Sequence, residues 1–186
     1  MKKCLQLLSL SFLFYAGFIA SCTSPHQGYI NQVDSLNVLV DSSEKMFLSI
    51  DTSLVYGNLR TAESNFQEVS AYYDTLTREI AFLLDEYYSY KKAYKKWGGK
   101  IKPFYDEFEV VRMQLEDLKT DLEKDLIPQE KIDEYYEHEM LHIHDMMEIV
   151  VSMKTGLELI HPKFDAANEK VSLLLDSLRQ ENNSEL

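Results

Sequence analysis

Apolar residues recur at steps of three and four along nearly the whole chain, and that spacing constrains the fold more than any other feature of it. The first stripe is Val33, Leu36, Val40, Phe47, Ile50 and Leu54, with Ser43 in its one polar slot. Side chains spaced in this way share one face of a helix, whereas a strand would need strict alternation. Gly57-Asn58 interrupts the series and predicts a turn. A second stripe runs through Ala62, Phe66, Val69, Tyr73, Leu76, Ile80, Leu83, Tyr87, Tyr90, Tyr94 and Trp97. Gly98-Gly99 and Pro103 follow it, and glycine costs about 1 kcal/mol and proline about 3 kcal/mol inside a helix, so a hairpin is expected at 98–100. Ile101, Phe104, Phe108, Val111, Leu115, Leu118 and Leu122 nevertheless resume in the same phase, which keeps a single kinked helix over 60–125 as the alternative.

Leu126-Ile127-Pro128-Gln129-Glu130 marks the end of one helix and the start of the next, with proline and acid in the first turn. The third stripe is Ile132, Tyr136, Met140, Ile143, Met147, Val150, Met153, Leu157 and Ile160. Pro162 is expected to stop or kink it, and Phe164, Ala167, Val171, Leu174 and Leu178 restart a helical face. Nothing alternates with period two for long enough to argue a sheet. The fold expected over 30–180 is all-α: an elongated, coiled-coil-like antiparallel bundle of four to five helices, with residues 181–186 frayed. A segment such as 60–97 would be about 57 Å long, so the expected shape is a rod.

Ahead of the stripes, Lys2 and Lys3 precede the apolar run 7–18, which is too short and wrongly flanked for a membrane span. Ile19-Ala20-Ser21-Cys22 closes it with small residues before a cysteine. The stretch resembles the lipobox of bacterial lipoproteins. That resemblance implies a cleaved signal peptide at 1–21, diacylglycerol on the Cys22 thiol and acylation of the freed amine. Residues 22–29, with Pro25 and Gly28, then read as a tether between the lipid and the fold. Three acyl chains hold firmly where one holds only marginally. Thr23 stands where an aspartate would signal inner-membrane retention in enteric lipoproteins, so in a cell with two membranes the outer one is expected. Across 30–180 the chain is similar to small all-helical, lipobox-bearing envelope proteins of unassigned role, with Asp121-Leu122 through Ile127-Pro128 and the Tyr136 region carrying that likeness.

Without residues 1–21 the chain keeps 165 residues, enough for one domain, and its formal charge moves from −12 to −14. Such acidity argues against a nucleic-acid partner. Cys4 lies within the leader, which leaves Cys22 no disulfide partner, so the fold must hold by packing.

His138-Glu139-Met140-Leu141-His142 matches the H-E-x-x-H pattern of zinc metalloproteases. The extended metzincin pattern, however, wants glycine and histidine where Asp145 and Glu148 stand, and Glu158 fits a third ligand only loosely. The stripe also turns His138 outward. We therefore read the match as fortuitous and expect no enzyme and no cofactor beyond the covalent lipid. The alternative is an exposed zinc or copper site at His138, His142 and Asp145, which share one helix side, with Met140, His144, Met146 and Met147 adding soft ligands.

Lys91, Lys92, Lys95, Lys96, Lys100 and Lys102 form a basic cluster interleaved with Tyr90, Tyr94 and Trp97. Were the second segment to return to the level of the anchor, these lysines and Trp97 would face anionic headgroups. The plainer reading pairs the lysines with Asp85, Glu86, Asp106 and Glu107. Tyr72, Tyr73, Tyr87, Tyr88, Tyr90, Tyr94, Tyr105, Tyr135 and Tyr136 make a tyrosine-rich middle, read as core with wet hydroxyls or as sugar-stacking faces. The expectation is a structural or protein-interaction module held to a membrane by its lipid, meeting an envelope protein or its own copies. A metal-binding protein is the second hypothesis and a holdase with an apolar groove the third.

Overall fold

The computed structural model describes residues 24–72 and 77–184. The leader, Cys22, and the stripe residues Tyr73 and Leu76 lie outside the described residues. Among those described there are four α-helices and no strand: α1 (Gln27–Leu48), α2 (Thr52–Tyr72), α3 (Arg78–Glu123) and α4 (Ile132–Ser184), the last preceded by a 3-10 turn (Gln129–Lys131).

Cross-chain hydrogen bonds fix the topology. At one end Ser24 Oγ donates to the Leu122 carbonyl (3.3 Å) and the Tyr29 hydroxyl bonds Asp133. Toward the other end Asn65 Nδ2 donates to Tyr87 Oη (3.0 Å) and Arg179 grips Glu68 through two bonds of 2.6 and 2.8 Å. α1 and α2 therefore run in series in one direction, α3 returns alongside both, and α4 runs parallel to the first pair. α1 and α2 each pack on α3 and α4. The bundle has three helices in cross-section, and the 53 residues of α4 make it about 80 Å long.

The first joint is at 49–51, not at Gly57-Asn58, both of which lie inside α2. Backbone amides of Ser49 and Ile50 close onto Met46 and Phe47 carbonyls, and Asp51 opens α2 by accepting the Leu54 amide on its carboxylate (2.9 Å). An aspartate cap ahead of Thr-Ser is a stronger start signal than a glycine is a stop. The joint also shifts the phase: Val55 is buried and Leu54 exposed, reversing the expected pattern. It does not reverse the chain, so α1 and α2 are not an antiparallel pair.

The expected hairpin at 98–100 is likewise absent. α3 runs unbroken through Gly98, Gly99 and Pro103, and the reversal occurs where Tyr72 ends α2 and Thr77 caps α3, its hydroxyl accepting the Ile80 amide. A single helix over 60–125 is excluded by the same reversal. Gly98 is retained for contact: a Cβ there would sit 3.3 Å from the Tyr56 ring, whose hydroxyl donates to the Gly98 carbonyl (3.0 Å). Pro103 and Pro162 both sit on the exposed side of their helices, where water can solvate the freed carbonyl, and α4 continues through Pro162.

The tether is shorter than expected. α1 begins at Gln27, and His26, 6% exposed, places Nε2 2.8 Å from an Asp125 carboxylate oxygen. Asp125 holds φ 54° at the end of α3, where the Leu126 amide reaches back to Asp121 (2.9 Å) in a Schellman closure. The core otherwise follows the stripes, with slips of one position in α3, where Leu84 is buried in place of Leu83, and in α4, where Met146 and Leu175 are buried in place of Met147 and Leu174. A period of 3.5 extended over so long a helix drifts against its true 3.6.

Candidate functional site

The structure resolves the singled-out residues into three places along the rod. The H-E-x-x-H segment lies on α4. His138 is 74% exposed, with Nδ1 3.3 Å from Glu139 Oε1. His142 turns the other way and sets Nε2 2.6 Å from Glu107 Oε1 on α3. The two imidazoles thus serve different neighbours. His142 and Asp145 line a small groove of about 180 Å³ with Pro103, Phe104, Met146 and Ile149, and His138 is not part of it. Among the described residues no group of three His, Cys, Asp or Glu side chains is arranged to hold a metal ion.

The lysine cluster lies at mid-length. Trp97 packs against α4, where a Cβ on Gly156 would come within 3.1 Å of its indole nitrogen, and Gly98 meets Tyr56 of α2. Leu122 marks the end that carries Ser24, so Trp97 stands about 37 Å up the rod. A membrane-facing role for Lys91, Lys92, Lys95, Lys96, Trp97, Lys100 and Lys102 was expected from a second segment returning to the start of the fold, whereas Trp97 lies away from the end of the rod that carries Ser24. The plainer expectation fails too. None of the six lysines pairs with Asp85, Glu86, Asp106 or Glu107: Glu86 instead accepts from Tyr90 (2.7 Å) and Glu107 serves His142. The ammonium groups of Lys91 and Lys92 lie over the Tyr88 ring at 5.7 and 5.1 Å, and that of Lys96 over Trp97 at 4.1 Å.

The third place was not foreseen. Tyr94 Oη accepts from Asn58 Nδ2 (2.9 Å) and meets His161 Nδ1 at 2.8 Å, which joins α2, α3 and α4 in one layer. One heptad on in every helix, Asn65, Tyr87 and Asn168 form its counterpart with bonds of 3.0, 2.6 and 3.0 Å. Phe164 lies between the layers, stacked on Tyr87 and edge-on to Tyr94. Burial pushes both tyrosines up to about 12 and depresses His161 below its ordinary value. A hydroxyl held protonated between an amide donor and an imidazole acceptor is a structural clasp rather than an acid or base poised for neutral pH. The seven-residue spacing of Asn58/Asn65 and Tyr87/Tyr94 was the available signal.

The remaining tyrosines divide between core and surface. Tyr87, Tyr90 and Tyr94 are buried, Tyr72 and Tyr136 partly so, and Tyr88, Tyr105 and Tyr135 are exposed. No described helix is long and apolar enough to cross a membrane. No protein-family model matches the chain, nor does any curated protein or solved structure.

Proposed function

We propose that this chain is a lipid-anchored envelope protein whose rod acts as a structural or interaction module, attached through Cys22 and projecting its far end away from the bilayer. The observation that supports the reading most is the docking of Ser24 and His26 onto the end of α3, two residues past Cys22. With so little slack, an acyl group at position 22 would sit at the foot of an 80 Å bundle and hold its orientation as well as its location. The hydroxyls of the buried Tyr87 and Tyr94 are committed to clasping helices together, which favours a scaffold over a catalyst. An outer-membrane location in a two-membrane cell accords with Thr23.

Mass spectrometry of the protein from its native bacterium tests this. The expected product begins at a triacylated Cys22, and Cys22→Ser yields a chain without acyl groups that keeps its leader. An unmodified thiol, or a leader retained on the wild-type chain, would sink the proposal.

A further inference from the structure

Charge on the rod is banded. Residues 50–64 of the joint and α2, 88–103 of α3 and 152–167 of α4 share one level, tied by Asn58–Tyr94–His161, Tyr56–Gly98 and Trp97–Gly156. They carry Lys91, Lys92, Lys95, Lys96, Lys100 and Lys102 of α3 with Arg60, Lys154 and Lys163, against Asp51, Glu63, Glu158 and Asp165, a formal +5. The foot of the rod, residues 24–49 and 104–150, carries 18 carboxylates against five Lys and Arg, a formal −13. The arrangement is not self-neutralising: Lys154 has Glu158 at 3.2 Å, while the six lysines from Lys91 to Lys102 have no carboxylate within 4 Å among the described residues. Six like charges within about 17 Å of helix raise the local potential and favour binding of an anion.

We propose that this middle belt is a docking site for an anionic glycan, a sugar polymer bearing sulfate, phosphate or carboxylate groups. Charge complementarity selects an anion, and the bands select its posture. A polyanion lying lengthwise would meet the acidic foot, so it must cross the rod at the belt. Partly exposed rings favour sugar: Tyr88, 44% exposed, lies beside Lys91 and Lys92, and Tyr105, 49% exposed, leans on Phe47 at the lower margin of the belt, and each keeps part of its ring in water. A second copy packed alongside in register would set belt against belt and repel. The inference rests on charge distribution and not on Cys22, so it stands or falls separately from the anchor.

The test uses residues 24–186, a span that contains the whole core cluster, with heparin as the anionic-glycan probe and dextran and poly-L-glutamate as comparisons. Heparin should bind at about 50 mM salt and release as salt screens the charges. Lys92, Lys95, Lys96 and Lys102 changed together to Gln should weaken heparin binding by about tenfold or more, while the same change at Lys45, Lys124, Lys131 and Lys170 leaves it within about twofold. Circular dichroism and melting of both variants establish that the bundle persists. Absence of heparin binding at low salt, or equal loss in the second variant, would overturn the belt. Poly-L-glutamate binding as tightly as heparin would overturn the glycan and point to an acidic polypeptide.

Discussion

Around α1 the bundle buries Ile30, Val33, Leu36, Val40 and Phe47, whereas around α2 it buries only Val55, Ala62 and Val69 and fills the cross-section with two hydrogen-bonded polar layers. The same α3 and α4 serve both halves, so the difference lies in what the first arm brings. The α1 half is stabilised mainly by apolar area and aromatic contact, with Phe47 set among Phe104, Tyr105 and Phe108 at 5.0–5.8 Å. The α2 half gains less from burial and more from alignment. A slip of α2 by one heptad would keep Asn65 in a tyrosine layer but strand Asn58 beside Ile101, which makes the paired layers a register device. The two halves also differ in polar satisfaction. Among the described residues, Ser43 Oγ, Gln114 Oε1 and Glu139 Oε2 are buried without a hydrogen-bond partner, and these three belong to the α1 half.

The largest effect should come from opening the apolar half. Phe47→Ala removes a ring 1% exposed and should cost about 3–5 kcal/mol in urea unfolding. Val69→Ala in the other half should cost about 1–2 kcal/mol, the value of two methyl groups. Equal losses would erase the contrast. Tyr94→Phe should come next, at about 1–3 kcal/mol, because it leaves the Asn58 amide and His161 Nδ1 unpaired in a half-buried layer. Tyr90→Phe, whose hydroxyl bonds only Glu86 on its own helix, should shift stability by less than about 0.5 kcal/mol.

How much of this was legible in the sequence depends on which physical signal dominated. The all-α class and the long α3 and α4 seams follow from spacing alone, because burial enforces it over many turns. The joints were misplaced because glycine and proline were weighed as breakers without their contacts. Gly98 and Gly156 are packing glycines, and Pro103 costs less on a wet face than inside a core. Asp51 and Thr77, the residues that do start helices, were readable as caps. The polar layers were missed because Asn58 looked like half of a turn and Tyr94 like core, and only a three-helix cross-section brings them to His161. The lysines were legible as a cluster, but their height on the rod depended on the misplaced hairpin.

The two layers also differ in what pH should do to them. Burial lowers the His161 pKa below its ordinary 6.5, partly opposed by the charges of Asp165 and Asp51, whereas Asn168 in the sister layer does not titrate. The unfolded chain therefore takes up a proton at higher pH than the folded one. The stabilisation is complete above about pH 6.5 and is lost as pH falls through the depressed folded value. A protonated imidazole cannot accept from the Tyr94 hydroxyl. His161→Asn copies the sister layer, so the difference in stability between wild type and variant should change between about pH 7.5 and 5.5 in the variant's favour. A pH-independent difference would mean that His161 is not the titrating member.

The smallest effect separates the halves by sign. Ser43 sits in the α1 stripe at 1% exposure, between Val40 and Phe47, and its hydroxyl has no partner. Ser43→Ala removes a buried unsatisfied group and substitutes a better helix former, so it should stabilise the protein by about 0.5–1 kcal/mol. The corresponding truncation in the α2 half, Asn65→Ala, takes away the donor to both Tyr87 and Asn168 and should destabilise by about 1–2 kcal/mol. Opposite signs at a buried polar position of α1 and a half-buried one of α2, read from the same unfolding curves, follow only if α1 tolerates its polar residue and α2 depends on its own. A loss of stability in Ser43→Ala would show that the serine is bonded after all, and the two halves would then share one chemistry.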